Sequence, residues 1–155
     1  MIDSTLCYLR RGEEYLMLHR VKKEHDVNKD KWIGIGGRFE EGESPEECLL
    51  REVWEETGLT LTDYRYRGIV TFSSDQAPAE QMHLFTADAW TGTQKECDEG
   101  DLQWLHRSLL RKIPHWEGDE IFLDLLETDE PFFSLKLCYQ GDVLESAALN
   151  GKPLR

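Results

Sequence analysis

Glu52, Glu55 and Glu56 stand at positions i, i+3 and i+4 of one segment. At about 100° per residue they span roughly 100° of a helix surface, so the spacing predicts that their carboxylates converge. Leu49, Leu50 and Val53 fill the neighbouring arc and suit packing on a sheet. Clustered carboxylates repel one another unless a cation neutralises them. An all-oxygen set favours a hard cation, so Mg2+ fits, with Mn2+ as a substitute, and zinc does not. Taken alone, the triplet reads more readily as a solvated acidic face, since charge runs usually are. Its neighbours reverse that balance.

The element that must carry the triplet is marked at both ends. Ser44 suits an N-cap, Pro45 the first helical position and Glu47 the return arm of a capping box, while Gly58 is a helix stop. This predicts a helix over Ser44 to Thr57. Before it runs the apolar, glycine-rich segment Trp32-Ile33-Gly34-Ile35-Gly36-Gly37. Ile2 to Leu9 and Glu14 to His19 read as strands joined at Arg11-Gly12-Glu13. Val21 to Lys31 is polar. Its Asp26, Asn28 and Asp30 are spaced like a calcium loop, but Lys31 stands where glycine is needed and Gly37 where glutamate is, so a solvated loop is expected. Strands are expected over Leu59 to Ser73, Met82 to Trp90 and Leu102 to Leu105. One or two helical turns are expected over Leu109 to Ile113 and a helix over Glu117 to Glu127. A hairpin follows, Phe132 to Tyr139 and Val143 to Leu149. With no repeat or linker, the expectation is one mixed α/β domain over residues 1–155.

Gly37, Glu43, Arg51, Glu52, Val53, Glu55, Glu56, Gly58 and Leu59 match every defined position of G-x5-E-x7-R-E-U-x-E-E-x-G-U, with U aliphatic. The chain therefore resembles the Nudix hydrolases. That resemblance implies an α/β Nudix fold, a mixed β-sheet sandwiched between helices. It also implies metal-assisted attack of water on a pyrophosphate bridge, in a nucleoside diphosphate linked to another moiety. By the same resemblance Glu52, Glu55 and Glu56 are metal ligands, joined by the backbone carbonyl of Gly36. Arg51 braces the glutamates, and Glu43 is its acid partner. Glu99, five residues ahead of Trp104, matches a further metal ligand or general base.

Beyond that box the chain is similar to the oxidised-purine triphosphatases, the MutT-like or 8-oxo-dGTP diphosphatases. Trp32 to Arg38 resembles their W-N-G-F-G-G-K segment, and His115 to Glu120 resembles M-W-P-D-D-S. Trp116 is then the stacking platform for the base and Asp119 its hydrogen-bonding partner. Arg20, Arg38 and the Gly36-Gly37 backbone are expected at the phosphates, because guanidinium forks suit phosphate oxygens. Two positions depart from the relatives. Ile33 replaces a base-reading asparagine, and Gly118 replaces one acid of the pair, so sharp selectivity for oxidised guanine is not expected.

Composition narrows the partners. Against 31 acidic residues stand 18 basic ones, a formal net charge of -13, which repels a nucleic-acid polymer but not a metal-complexed small nucleotide. No apolar run approaches a membrane span and no secretory leader is visible. Cys7, Cys48, Cys97 and Cys138 are dispersed without a C-x-x-C pair, which suggests reduced thiols in a cytoplasmic protein. A monomer or homodimer is expected.

Three functions compete. The first is Mg2+-dependent cleavage of a nucleoside triphosphate, such as 8-oxo-dGTP, to monophosphate and pyrophosphate. The second is cleavage of another nucleoside diphosphate derivative such as ADP-ribose. Relatives of that kind carry a proline about 15 residues after the box, near Ser73-Ser74, whereas the nearest proline here is Pro78. The third is a non-catalytic Nudix-fold binding module, disfavoured because every box glutamate is retained.

Overall fold

The first two strands begin as a hairpin and then part, and that divergence organises the rest of the molecule. The computed structural model describes residues 1–22, 26 and 28–155. β1 (Ile2–Arg11) and β2 (Glu14–His19) pair only at Arg10↔Tyr15 and Arg11↔Glu14. Beyond that point β2 turns to β3 (Trp32–Ile33), while β1 pairs in parallel with β5 (Glu80–Gly92). The gap admits residues 34–38 beside β1, through bridges Cys7↔Ile35 and Ser4↔Arg38. β4 (Leu59–Ser74) pairs antiparallel with β5 and β6 (Asp101–His106) antiparallel with β2. β7 (Phe133–Gln140) pairs in parallel with β4, followed by β8 (Val143–Leu149) and β9 (Lys152–Pro153). The mixed sheet runs β3-β2-β1-β5-β4-β7-β8-β9, with β6 branching from β2.

α1 (Pro45–Thr57) forms where its caps predict. Ser44 Oγ accepts the Glu47 N–H at 3.1 Å and Glu47 Oε1 accepts the Ser44 N–H at 3.0 Å. Gly58 ends it in the left-handed region at φ 79°, which suits a residue without Cβ. Leu49 and Val53 bury against Cys7, Leu16, Ile35 and Phe85. α2 (Asp119–Leu126) buries Phe122 and Leu126 in a second core with Tyr8, Val70, Leu84 and Leu137. Each such side chain contributes about 1.5–3 kcal/mol. The two cores place the helices on the two sides of the sheet, an α/β/α arrangement.

Two expectations change. Over Leu109 to Ile113 there is no α-helix. A short 3-10 turn over Arg107–Leu109 stands instead, its Ser108 N–H capped by His106 Nδ1, and Pro114 disfavours helical backbone at Ile113. The helix expected from Glu117 starts at Asp119, because residues 116–118 form a turn with Asp119 N–H on the Trp116 carbonyl at 3.0 Å. In the expected loop over Val21 to Lys31, residues 23–25 and 27 lie outside the described residues. The remainder holds an Asp26 turn, with Asn28 N–H on Asp26 Oδ1 at 3.0 Å. All four cysteines are free thiols, and no helix among the described residues is long and apolar enough to cross a membrane.

Candidate active site

The glycine segment is pressed against β1 by its own backbone bonds. Thr5 N–H donates to the Gly37 carbonyl at 2.9 Å, Cys7 N–H to Ile35 at 2.6 Å and Ile35 N–H back to Cys7 at 2.9 Å. A Cβ on Gly36 would run into the Thr5 carbonyl, and one on Gly37 into the Glu52 carboxylate. Both positions therefore need glycine for close approach rather than for a special φ.

Across from these glycines lies the acidic face of α1, held by Arg51. Its Nε and Nη2 take the two Glu43 oxygens at 2.6 and 2.9 Å, and Nη2 also donates to the Arg38 carbonyl at 3.0 Å. Nη1 reaches Glu52 at 2.7 Å and Glu55 at 3.2 Å. This guanidinium holds the Glu43 carboxyl down at about 2. Glu52 goes the other way: burial raises it, and Arg51 offsets part of the rise. Glu56 is buried, and its Oε2 accepts the Gly36 N–H at 3.1 Å. Burial, a hydrogen bond with Glu99 and the charges of Glu99 and Glu52 push its carboxyl up to about 10. Arg20 donates to Glu99 at 3.0 Å and to Asp26 at 2.7 Å.

Of the three box glutamates, Glu52 and Glu56 converge, and Glu99 joins them from the segment before β6. Glu55 stays at the rim, half-exposed and sharing Arg51 Nη1 with Glu52. Among the described residues, no three acids, histidines or cysteines are drawn close enough to hold a metal as they stand. The donor chemistry nevertheless fits a hard divalent cation. Glu52, Glu56, Glu99 and the Gly36 carbonyl offer only oxygen, and buried like charges that share a proton are what such an ion relieves.

A cavity of about 400 Å³ opens from these acids. Gly36, Gly37, Arg38, Glu52, Glu99 and Arg20 line one end, and Ile33, Trp116 and Asp119 the other. Trp116 is buried, edge-on to Phe72 at 5.0 Å and Tyr139 at 4.9 Å between centroids. Its Nε1–H donates to Asn28 Oδ1 at 2.6 Å, and Lys31 Nζ lies 4.3 Å from the ring centroid. Asp119 is buried too, and desolvation raises its carboxyl to about 7.

The NUDIX domain model matches residues 2–126. The chain belongs to the Nudix family. An uncharacterised Nudix hydrolase of Bacillus subtilis is 32% identical over 127 residues, covering 79% of this chain and 77% of the relative. The oxidized purine nucleoside triphosphate hydrolase of Mus musculus is 30% identical over 111 residues, 71% of each chain. The crystal structure of a MutT protein from Bacillus halodurans is similar at TM-score 0.84 and 25% identity, covering 99% of this chain and 100% of the other.

Within the Nudix site, Arg51, Glu52, Glu56, Glu99, Gly36, Gly37, Arg38 and Arg20 lie together at one end. Arg20 reaches that end already paired with two acids. Trp116 and Asp119 line the far end, the tryptophan more deeply packed than a surface platform. The cavity also holds Asn28, Phe72 and Glu80, which motif reading misses. Asn28 sits in a polar loop without periodicity. Phe72 and Glu80 are cross-strand partners on β4 and β5, a relation visible only once register is known.

Proposed function

We propose that this Nudix hydrolase cleaves nucleoside triphosphates to monophosphate and pyrophosphate with Mg2+, with oxidised purines such as 8-oxo-dGTP the first substrates to test. The observation carrying this reading is one continuous cavity with an acidic, glycine-lined end and an aromatic, acid-capped end, about the volume of a small-molecule site. The similarity to the mouse oxidized purine nucleoside triphosphate hydrolase supports the same substrate class. Glu52, Glu56, Glu99 and the Gly36 carbonyl would hold the metal, with Glu55 recruited from Arg51. The bound ion supplies neutralisation of the phosphate oxygens and acidification of a water.

This chain's own groups do the rest. Arg38 and Arg20 bind phosphate oxygens. Trp116, fixed by Asn28 and Tyr139, orients the base, and Asp119 meets its polar edge. Glu99 takes a proton from the attacking water as its oxygen bonds to phosphorus. The bond to the α–β bridging oxygen breaks, and pyrophosphate leaves. Arg51 keeps Glu52 ionised and positioned. A panel of ordinary and oxidised nucleoside triphosphates and ADP-ribose with Mg2+, its products resolved by chromatography, tests this. Monophosphate plus pyrophosphate is expected. Turnover of ADP-ribose alone would transfer the site to the other substrate class.

A further inference from the structure

Arg20 stands at the phosphate end of the cavity, yet its guanidinium is already engaged with acids. Its Nε donates to Asp26 Oδ2 at 2.7 Å and its Nη1 to Glu99 Oε2 at 3.0 Å. The Arg20 side chain is 13% exposed, so neither contact is a loose surface pair. Its backbone is fixed just beyond β2: the Arg20 N–H donates to the Lys31 carbonyl at 3.0 Å, and the Arg20 carbonyl accepts the Asp30 N–H at 2.8 Å. Register puts His19 opposite Asp101 of β6, which brings Glu99 alongside Arg20 across the ladder. Exchange of partners at Arg20 is therefore confined to its side chain.

The two acids hold different parts of the guanidinium. Asp26 takes Nε and is itself fixed. Its Oδ1 accepts the Asn28 N–H at 3.0 Å, and Asn28 Oδ1 accepts the Trp116 Nε1–H at 2.6 Å. Arg20, Asp26, Asn28, Trp116 and Glu99 all line the same cavity. Glu99 takes Nη1, which belongs to the outer edge of the guanidinium. That edge, Nη1 with Nη2, is a fork that matches two phosphate oxygens. Glu99 is also one of the oxygen donors that suit a divalent cation, beside Glu56 and the Gly36 backbone. A guanidinium and a divalent cation on one carboxylate repel each other. A cation that claims Glu99 therefore releases the fork of Arg20, while Asp26 keeps its Nε in place.

We propose that Arg20 is a stand-in cation for Glu99: it neutralises that carboxylate before metal binds and passes to a phosphate of the nucleotide once a divalent ion has taken its place. The inference rests on the pyrophosphohydrolase reading for the phosphates that receive Arg20. Metal and nucleotide then oppose the same ion pair, the metal by claiming Glu99 and the nucleotide by claiming Arg20. Each removes the obstacle to the other. By linkage the effect is reciprocal, so a nucleotide that draws Arg20 away tightens the metal by the factor by which the metal tightens the nucleotide. Removing Arg20 has opposite consequences for the two ligands. The metal loses a competitor, and the nucleotide loses a contact.

The test is the Kd for Mn2+ in the nucleotide-free protein, read from the spin-resonance signal of free Mn2+, with thermal melts to check each variant's fold. Arg20→Gln should bind Mn2+ at least about fivefold tighter than wild type, the scale of a charged hydrogen-bonded pair. Arg20→Lys, which keeps a cation beside Glu99, should stay within about twofold of wild type. Arg38→Gln removes a cavity cation whose side chain pairs with no acid among the described residues, and should gain about twofold or less. At saturating Mg2+, Arg20→Gln should raise KM for dGTP at least about tenfold. Weaker or unchanged Mn2+ binding in Arg20→Gln, or an equal gain in Arg38→Gln, overturns the proposal. In wild type the Arg20 side-chain N–H resonances should shift on adding Mg2+ alone, and unshifted resonances overturn it without any variant. If no triphosphate is cleaved, the functional reading falls, while the Mn2+ affinities and these resonances still decide whether Arg20 competes for Glu99.

Discussion

Arg51 holds Glu43 with two prongs of its fork, Nε at 2.6 Å and Nη2 at 2.9 Å from the two carboxylate oxygens. Both side chains are mostly shielded, at 22% and 15% exposed. The pair ties the loop before α1 to the helix that carries Glu52, Glu55 and Glu56. Lysine keeps the charge but cannot form the fork. Arg51→Lys should therefore cost about 1–3 kcal/mol in urea unfolding at pH 7. The sign with pH follows from Glu43, whose carboxyl is lowered from 4.5 to about 2. Its stabilisation is present above pH 4.5 and lost as pH falls toward 2, so the cost of Arg51→Lys should shrink across that window.

The two glycines should respond differently to alanine. At Gly36 the added methyl meets the β1 backbone, and at Gly37 the end of the Glu52 side chain. Gly36→Ala should lose about 1–3 kcal/mol of stability through overpacking. Gly37→Ala should unfold near wild type yet lose kcat, since Glu52 must move. Thermal melts beside initial rates separate the two outcomes. Equal destabilisation in both variants contradicts the assignment.

Glu56 and Glu55 are adjacent in sequence but not in environment. Glu56 is buried against Gly36 and Glu99, whereas Glu55 is half-exposed on Arg51. Glu56→Gln should lower kcat at least about a hundredfold with the fold intact, and Glu55→Gln by about tenfold or less. Rates across a Mg2+ titration check this. Near-normal turnover of Glu56→Gln at saturating Mg2+ contradicts the metal assignment.

Asp119 gives stability a pH dependence of its own. Burial raises its carboxyl from 3.8 to about 7, Glu120 adds to the rise, and His115 and Lys31 oppose it. Tyr8 and Tyr139 also face it. Between pH 3.8 and about 7 the folded chain keeps a proton that the unfolded chain releases, so stability falls as pH rises through that window. The span corresponds to at most about 4 kcal/mol. Asp119→Asn should flatten this component and also trim the His115 component, to which the Asp119 charge contributes. Urea midpoints at pH 4, 5.5 and 7 for the two proteins give the comparison. Parallel pH profiles would contradict it.

Trp116 has a structural task as well as the proposed one. Trp116→Ala should cost about 3–5 kcal/mol, because the ring fills space between Phe72 and Tyr139. Trp116→Phe keeps most of the packing but loses the bond to Asn28. It should raise KM for purine triphosphates severalfold with little change in kcat, whereas Ile33→Ala should move KM less. An unchanged KM in Trp116→Phe would leave this ring to the core.

The sequence alone determined the helix that carries the acids, because its signals are local. Ser44, Pro45, Glu47 and Gly58 act within a turn of where they stand, and the box spacing is covalent. The strands were legible from alternation, and the glycine pair from its place before the helix. Tertiary structure decided what depends on neighbours distant in the chain. Packing left Glu55 half-exposed on Arg51 while its neighbour Glu56 was buried against Gly36 and Glu99. Pro114 and the His106 cap left a 3-10 turn where apolar spacing suggested more helix. The cavity floor needed the parallel register of β1 with β5. Only that register sets Ser4 beside Glu80, 76 positions apart in the chain. No spacing rule reaches so far, because strand pairing is chosen by which faces can be buried together and not by separation along the backbone.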